Sequence, residues 1–77
     1  MSSITLDALS AGERGKVTHV SGASDIQRRL LEMGITPGTT VRLVRFAPLG
    51  DPLDIEVRGY HLSLRKNEAR QVTLDRL

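Results

Sequence analysis

No cysteine occurs among the 77 residues of this chain. Neither disulfides nor thiolate-bound metal can staple it, so its fold must rest on packed side chains alone. A chain this short buries only about 60% of the surface its unfolded form exposes. The core must therefore be compact and well filled, and the length predicts a single domain over residues 1–77. No apolar run approaches the length of a membrane span. The opening Met1-Ser2-Ser3-Ile4-Thr5 has neither the basic segment nor the apolar stretch of a secretory signal. A cytoplasmic protein that does not insert into a membrane is the expectation.

The clearest element is a helix over Ser24–Gly34. Ser24 has the chemistry of an N-cap, and Gln27 three residues on would complete a capping box. Asp25 in the first turn complements the helix dipole. Ile26, Leu30 and Met33 recur at i, i+4, i+7 on one face, while Arg28, Arg29 and Glu32 point away. Gly34 suits the left-handed position after the last turn, with Ile35 folding back onto Leu30. Pro37-Gly38 then reads as the centre of a type II turn.

Everything else reads as short strands and turns. Thr5 is expected to cap one helical turn over Leu6–Leu9, closed by Gly12, with Leu6 and Leu9 as a small lid. Gly15–Val20 is a strand whose apolar residues, Val17 and Val20, are out of step with strict alternation, which predicts a bulge. Thr40–Phe46 carries Val41 and Leu43 on one face and Val44 and Phe46 on the other, as in a strongly curled sheet. Leu53, Ile55 and Val57 alternate cleanly with polar residues, Gly59-Tyr60 reverses the chain, and Leu62 and Leu64 resume the alternation. Lys66–Ala69 makes one helical turn, and Val72 and Leu74 mark a last strand. About five strands in so short a chain suit a closed or half-closed barrel, because closure removes exposed edges. The fold class is mainly β, one capped helix and short helical turns completing it.

Charge narrows the function. Eleven Lys and Arg face nine Asp and Glu, a formal net charge of +2. The two signs are interspersed, with no basic stripe. Phe46 and Tyr60 are the only aromatic residues, too few for base stacking, so nucleic acid is not the expected partner. A small RNA-binding barrel would also require a steep salt dependence, which mixed charge does not favour.

Catalysis is not expected either. There is no thiol nucleophile, no phosphate-binding glycine loop and no H-x-x-x-H spacing. Gly50-Asp51-Pro52 reads as a turn, not a phosphate cradle. His61 should point outward from its strand beside Glu56 or Arg58. It is either a plain exposed histidine or one ligand of a divalent metal, iron or zinc, shared between two protomers. His19 has the same two readings, in a more covered position. No cofactor is required by anything in the sequence.

Two features suit recognition. Arg28-Arg29 is either a solvated helix face or a contact for an acidic surface, where arginine favours bidentate carboxylate pairing. Ala47-Pro48-Leu49-Gly50-Asp51-Pro52 joins two strands around a Gly-Asp turn, and its two prolines stiffen it. Leu49 either stands at the tip as a docking residue, flanked by Pro48, Gly50 and Asp51, or folds back over the barrel mouth.

In this order and at this length the residues resemble the FeoA family. The resemblance is carried by Leu30-Leu31-Glu32-Met33-Gly34-Ile35-Thr36-Pro37-Gly38 with Val41, by Ala47–Pro52, and by Leu62, Leu64-Arg65, Glu68-Ala69 and Val72. The opening Leu6-Asp7-Ala8-Leu9 with Gly12 and Gly15 continues it, so that it covers nearly the whole chain. It implies an SH3-like barrel and a non-enzymatic cytosolic accessory of bacterial ferrous-iron uptake. The implied partner is FeoB, a membrane transporter with a cytosolic GTP-binding part. The same fold ends the iron-dependent repressors, which leaves a metal-responsive regulatory module as the alternative. With so few aromatic residues, the polyproline recognition of ordinary SH3 domains is not expected. A homodimer through an exposed barrel edge is compatible with the pattern.

Overall fold

The computed structural model describes residues 3–77. Met1 and Ser2, which begin the segment read as lacking a leader, lie outside the described residues. Strands β1 (Ser3–Thr5), β2 (Arg14–Val20), β3 (Thr40–Phe46), β4 (Leu53–Val57), β5 (Tyr60–Leu64) and β6 (Val72–Arg76) form one antiparallel sheet in the order β1-β6-β2-β3-β4-β5. Helix α1 (Ser24–Glu32) connects β2 to β3, and the single turn α2 (Lys66–Ala69) connects β5 to β6. A 3-10 turn, Leu6–Ala8, follows β1. Among the described residues there are six strands where about five were expected. The additional one, β1, pairs with β6 and sets Ile4 opposite Leu74. Three residues are too few for an alternation to stand out in a sequence.

Strand β4 buries Leu53, Ile55 and Val57 completely, following its alternation. The chain then reverses on Arg58-Gly59, one residue earlier than expected. Val57 pairs with Tyr60, and the two residues between them have φ of 52° and 86°. This is the two-residue type I′ geometry that matches strand twist. Arg58 also ties the hairpin tip to the next turn along the rim, its guanidinium donating to the hydroxyls of Thr36 (3.4 Å) and Thr39 (3.3 Å).

The bulge expected in β2 is present: its register against β6 shifts between Val17 and His19, so that Val17 and Val20 both face the core. A second bulge in β3 corrects the two-faced reading of that strand. Leu43 opposes Ile55 and Arg45 opposes Asp54, leaving Val44 as the extra residue. The parity change brings Phe46 opposite Leu53, packed against the same core as Val41 and Leu43. Each bulge also bends its strand and increases the local twist.

Helix α1 starts where expected, but its cap differs. Ala23 is the N-cap and makes no side-chain cap bond, while the Asp25 carboxylate accepts the first-turn amide of Ile26 at 3.0 Å. Gln27 does not complete a capping box; its side-chain amide donates to the Val20 carbonyl at 2.8 Å and fastens the helix to the end of β2. The C-terminus is as read. Gly34 has φ of 92°, its amide donates to Leu31 O (3.0 Å), and the Ile35 amide donates to Leu30 O (3.1 Å). These two bonds define the Schellman motif, with Leu30 and Ile35 buried together. Gly34 is thus the stop signal beyond the helix, which ends at Glu32.

Leu6 and Leu9 are buried as the lid, joined in one cluster with Leu30, Leu43, Ile55, Leu64, Val72 and Leu74. The Thr5 hydroxyl bonds the Asp7 carboxylate and caps no backbone amide. Gly15, between Val41 of β3 and Arg76 of β6, leaves no room for a side chain, since a Cβ there would collide with the buried Leu74.

Candidate functional site

The connection from β3 to β4 is built by its own backbone. The Gly50 amide donates to Ala47 O at 2.7 Å, and the Ala47 amide donates to Pro52 O at 2.9 Å. The tight turn is therefore centred on Pro48-Leu49, with Gly50 beyond it at φ of 86°, and not on Gly50-Asp51 as the sequence suggested. Pro48 supplies the fixed φ that such a turn needs at its first central position. Leu49 stands at the tip and is 96% exposed. Leu49 therefore does not fold back over the barrel mouth.

Asp51 has an internal partner. Its carboxylate accepts the amide of Lys66, the first residue of α2, at 3.0 Å. The loop is thereby pinned to α2, and α2 is in turn pinned to α1. Glu68 of α2 is nearly buried. One of its carboxylate oxygens accepts the Arg65 amide at 2.9 Å, and the other receives the Arg29 guanidinium at 3.2 Å. Arg29 remains 61% exposed at its side chain. Arg28 beside it is exposed. The sequence marks neither Lys66 nor Glu68 as a site residue, because the contacts with Asp51 and Arg29 join residues far apart in the chain.

The β4–β5 hairpin carries an ordered polar face. Arg42 Nε donates to Glu56 at 3.0 Å, and His61 Nε2 lies 3.9 Å from the other Glu56 oxygen. In the next row Arg45 Nε and Ser63 Oγ both donate to Asp54, at 2.9 Å each. The Ser63 and then the Arg45 hydrogen bonds hold the Asp54 carboxyl below its ordinary 3.8, reinforced by the charges of Arg45 and His61. A carboxylate depressed in the folded state contributes stability above its unfolded pKa and loses it as pH falls through that value and the lower folded one. Asp54→Asn is accordingly expected to reduce the fall in melting temperature between pH 6 and pH 3. The effect is modest because the pair is solvent-screened. Equal falls for wild type and variant would remove Asp54 from the acid response.

His61 does neighbour Glu56 across the hairpin, as one of the two anticipated partners. His19 is exposed on β2 rather than partly covered, because the bulge after Val17 leaves it opposite Thr73 on the outer side. β2 and β5 are not neighbours in the sheet, so the two histidines do not converge. Among the described residues no three His, Cys, Asp or Glu side chains gather where they could hold a metal ion. His61 with Glu56 offers two donors, half the set of a structural zinc site. These residues alone do not compose a metal centre.

The family model for the FeoA domain matches residues 4–76. The chain belongs to the FeoA family. A FeoA-like protein from Clostridium acetobutylicum is 35% identical, with a TM-score of 0.92 over 100% of this chain and 90% of that one. A FeoA from Stenotrophomonas maltophilia, solved in complex with zinc and described as a prokaryotic SH3 domain protein, is 37% identical. Its TM-score is 0.83 over 94% of this chain and 89% of that one. The mainly β, SH3-like fold expected from the sequence is therefore the fold of the family. An iron(II) transport protein A–FeoB fusion protein from Porphyromonas gingivalis is 33% identical over 91% of this chain, which spans 8% of that protein's length. A manganese-dependent transcriptional repressor has a TM-score of 0.90 over 100% of this chain and 38% of its own, at 19% identity, a likeness of fold alone. FeoA domains are small accessory domains and not a known enzyme family. Among the described residues no helix is long and apolar enough to cross a membrane.

Proposed function

We propose that this FeoA-family chain is a non-enzymatic accessory protein of ferrous-iron uptake that docks on the cytosolic, GTP-binding part of a FeoB-type transporter. The observation that carries this reading is the Porphyromonas fusion, in which an iron transport protein A and a FeoB transporter share one polypeptide. Joining two modules in one chain raises their effective concentration and is useful where the two act together. The docking surface we assign to the Leu49 tip with Pro48, Gly50 and Asp51, and to Arg28 and Arg29 on α1. A turn closed by two backbone hydrogen bonds and fixed to α2 presents its leucine at little entropic cost, which favours binding. Arg28 and Arg29 suit carboxylates on the facing surface.

The test is a titration of this protein against the isolated cytosolic part of the transporter, with and without a GTP analogue. Saturable binding is the expected result. If affinity changes with the nucleotide, the domain reads the state of the GTP-binding part and regulates it. Binding indifferent to nucleotide makes it a scaffold. Absence of binding at high micromolar concentration defeats the proposal.

A further inference from the structure

Strand β5 ends the sheet, and its outer edge is bare. Val57 and Tyr60 close a two-residue hairpin, so the pairs Val57–Tyr60, Ile55–Leu62 and Leu53–Leu64 use the inward backbone groups. His61 and Ser63 sit in the alternate pairs, whose N–H and C=O groups point away from β4. Among the described residues these groups meet no hydrogen-bond partner. Edge strands are usually protected by shortness, a bulge, proline or charge. At the other end of the sheet, β1 has three residues. Strand β5 has five, runs without a register shift, and contains no proline and no Lys, Arg, Asp or Glu.

We propose that β5 is a self-association edge, on which a second copy of this chain pairs antiparallel about a two-fold axis through Leu62. The sequence Tyr60-His61-Leu62-Ser63-Leu64 reads apolar-polar-apolar-polar-apolar in both directions. A dyad at Leu62 therefore sets polar on polar and apolar on apolar. His61 then lies opposite Ser63 of the other copy, and each such pair exchanges both of its free backbone hydrogen bonds. The side chains agree with that register. The Ser63 hydroxyl spends its proton on Asp54, which leaves its lone pairs to accept from an imidazole N–H across the dyad. No like charges are forced together. The acids behind the edge, Glu56 and Asp54, are already matched by Arg42 and Arg45. A self-complementary strand without Lys, Arg, Asp or Glu favours a copy of itself over a partner selected by charge. The closed two-fold pairing also leaves no edge for fibre growth at β5.

Sedimentation equilibrium and backbone amide exchange on the full chain test this. Wild type is expected to dimerise with rising concentration, and the His61 and Ser63 amides are expected to gain protection as it does. Ser63→Lys puts the common edge-guarding charge at the centre of the interface and is expected to raise the dimer dissociation constant by about tenfold or more. Leu49→Asp, on a different surface, should leave that constant unchanged. A wild type that stays monomeric at millimolar concentration overturns the proposal. So does a dimer whose His61 and Ser63 amides exchange as fast as in the monomer, a readout that needs no variant. Neither result touches the titration against the transporter, so docking and self-association stand or fall separately.

Discussion

Leu30→Ala is expected to destabilise the protein by about 2–5 kcal/mol, the range for truncating a buried leucine where the surroundings collapse only partly. Leu30 is fully buried. Its side chain joins α1 to the sheet, and its carbonyl accepts the Ile35 amide that closes the Schellman motif. In a domain of this size the total stability is about 5–15 kcal/mol at most, so one such cavity removes a large fraction of it. Urea unfolding followed by circular dichroism measures the loss. A midpoint unchanged from wild type would show that α1 does not anchor the core. Leu31, on the same helix but 39% exposed, is the matched control, and its alanine variant should cost far less.

Leu49→Asp is expected to leave the fold intact and weaken binding to the transporter's cytosolic part by more than about 1 kcal/mol, roughly fivefold in Kd. The side chain is 96% exposed, so nothing in the core depends on it. The turn beneath it is held by backbone bonds and by the Asp51–Lys66 contact, which the substitution does not touch. Unchanged affinity alongside an unchanged dichroism spectrum would take the loop out of the docking surface. Asp51 is the less informative position to substitute, because removing its carboxylate also frees the α2 amide.

The two substitutions differ in how far sequence alone could foresee them. Leu30 lies within a run of local signals that agree with one another: i, i+4, i+7 periodicity, then glycine, then an apolar residue positioned to fold back. Each acts within a few residues, so each is legible in one dimension. Leu49 is flanked by equally clear turn residues. Whether it leaves the surface or covers the barrel mouth depends on how the loop is moored, and Lys66, which holds Asp51, lies 15 residues beyond that aspartate.

The same distinction runs through the whole molecule. The clean alternation of β4, the stop at Gly34, the Pro37-Gly38 turn and the mainly β class were determined by the sequence, because propensity, backbone freedom and period are local quantities. The register of β3 was not. Val44 is an extra residue only because Leu43 and Arg45 meet consecutive residues of β4, and that shift alone turns Phe46 inward. Ser24 has the chemistry of a cap, yet Gln27 reaches β2 and Ala23 takes the position. Glu68 and Arg29 are ordinary charged residues until two helices meet. The bare edge at β5 likewise could not be localised in the chain, because an edge exists only once every other strand has found its neighbours. Pairing between distant segments is decided by the joint packing of one shared core, and no local pattern encodes which backbone groups that packing leaves unpaired.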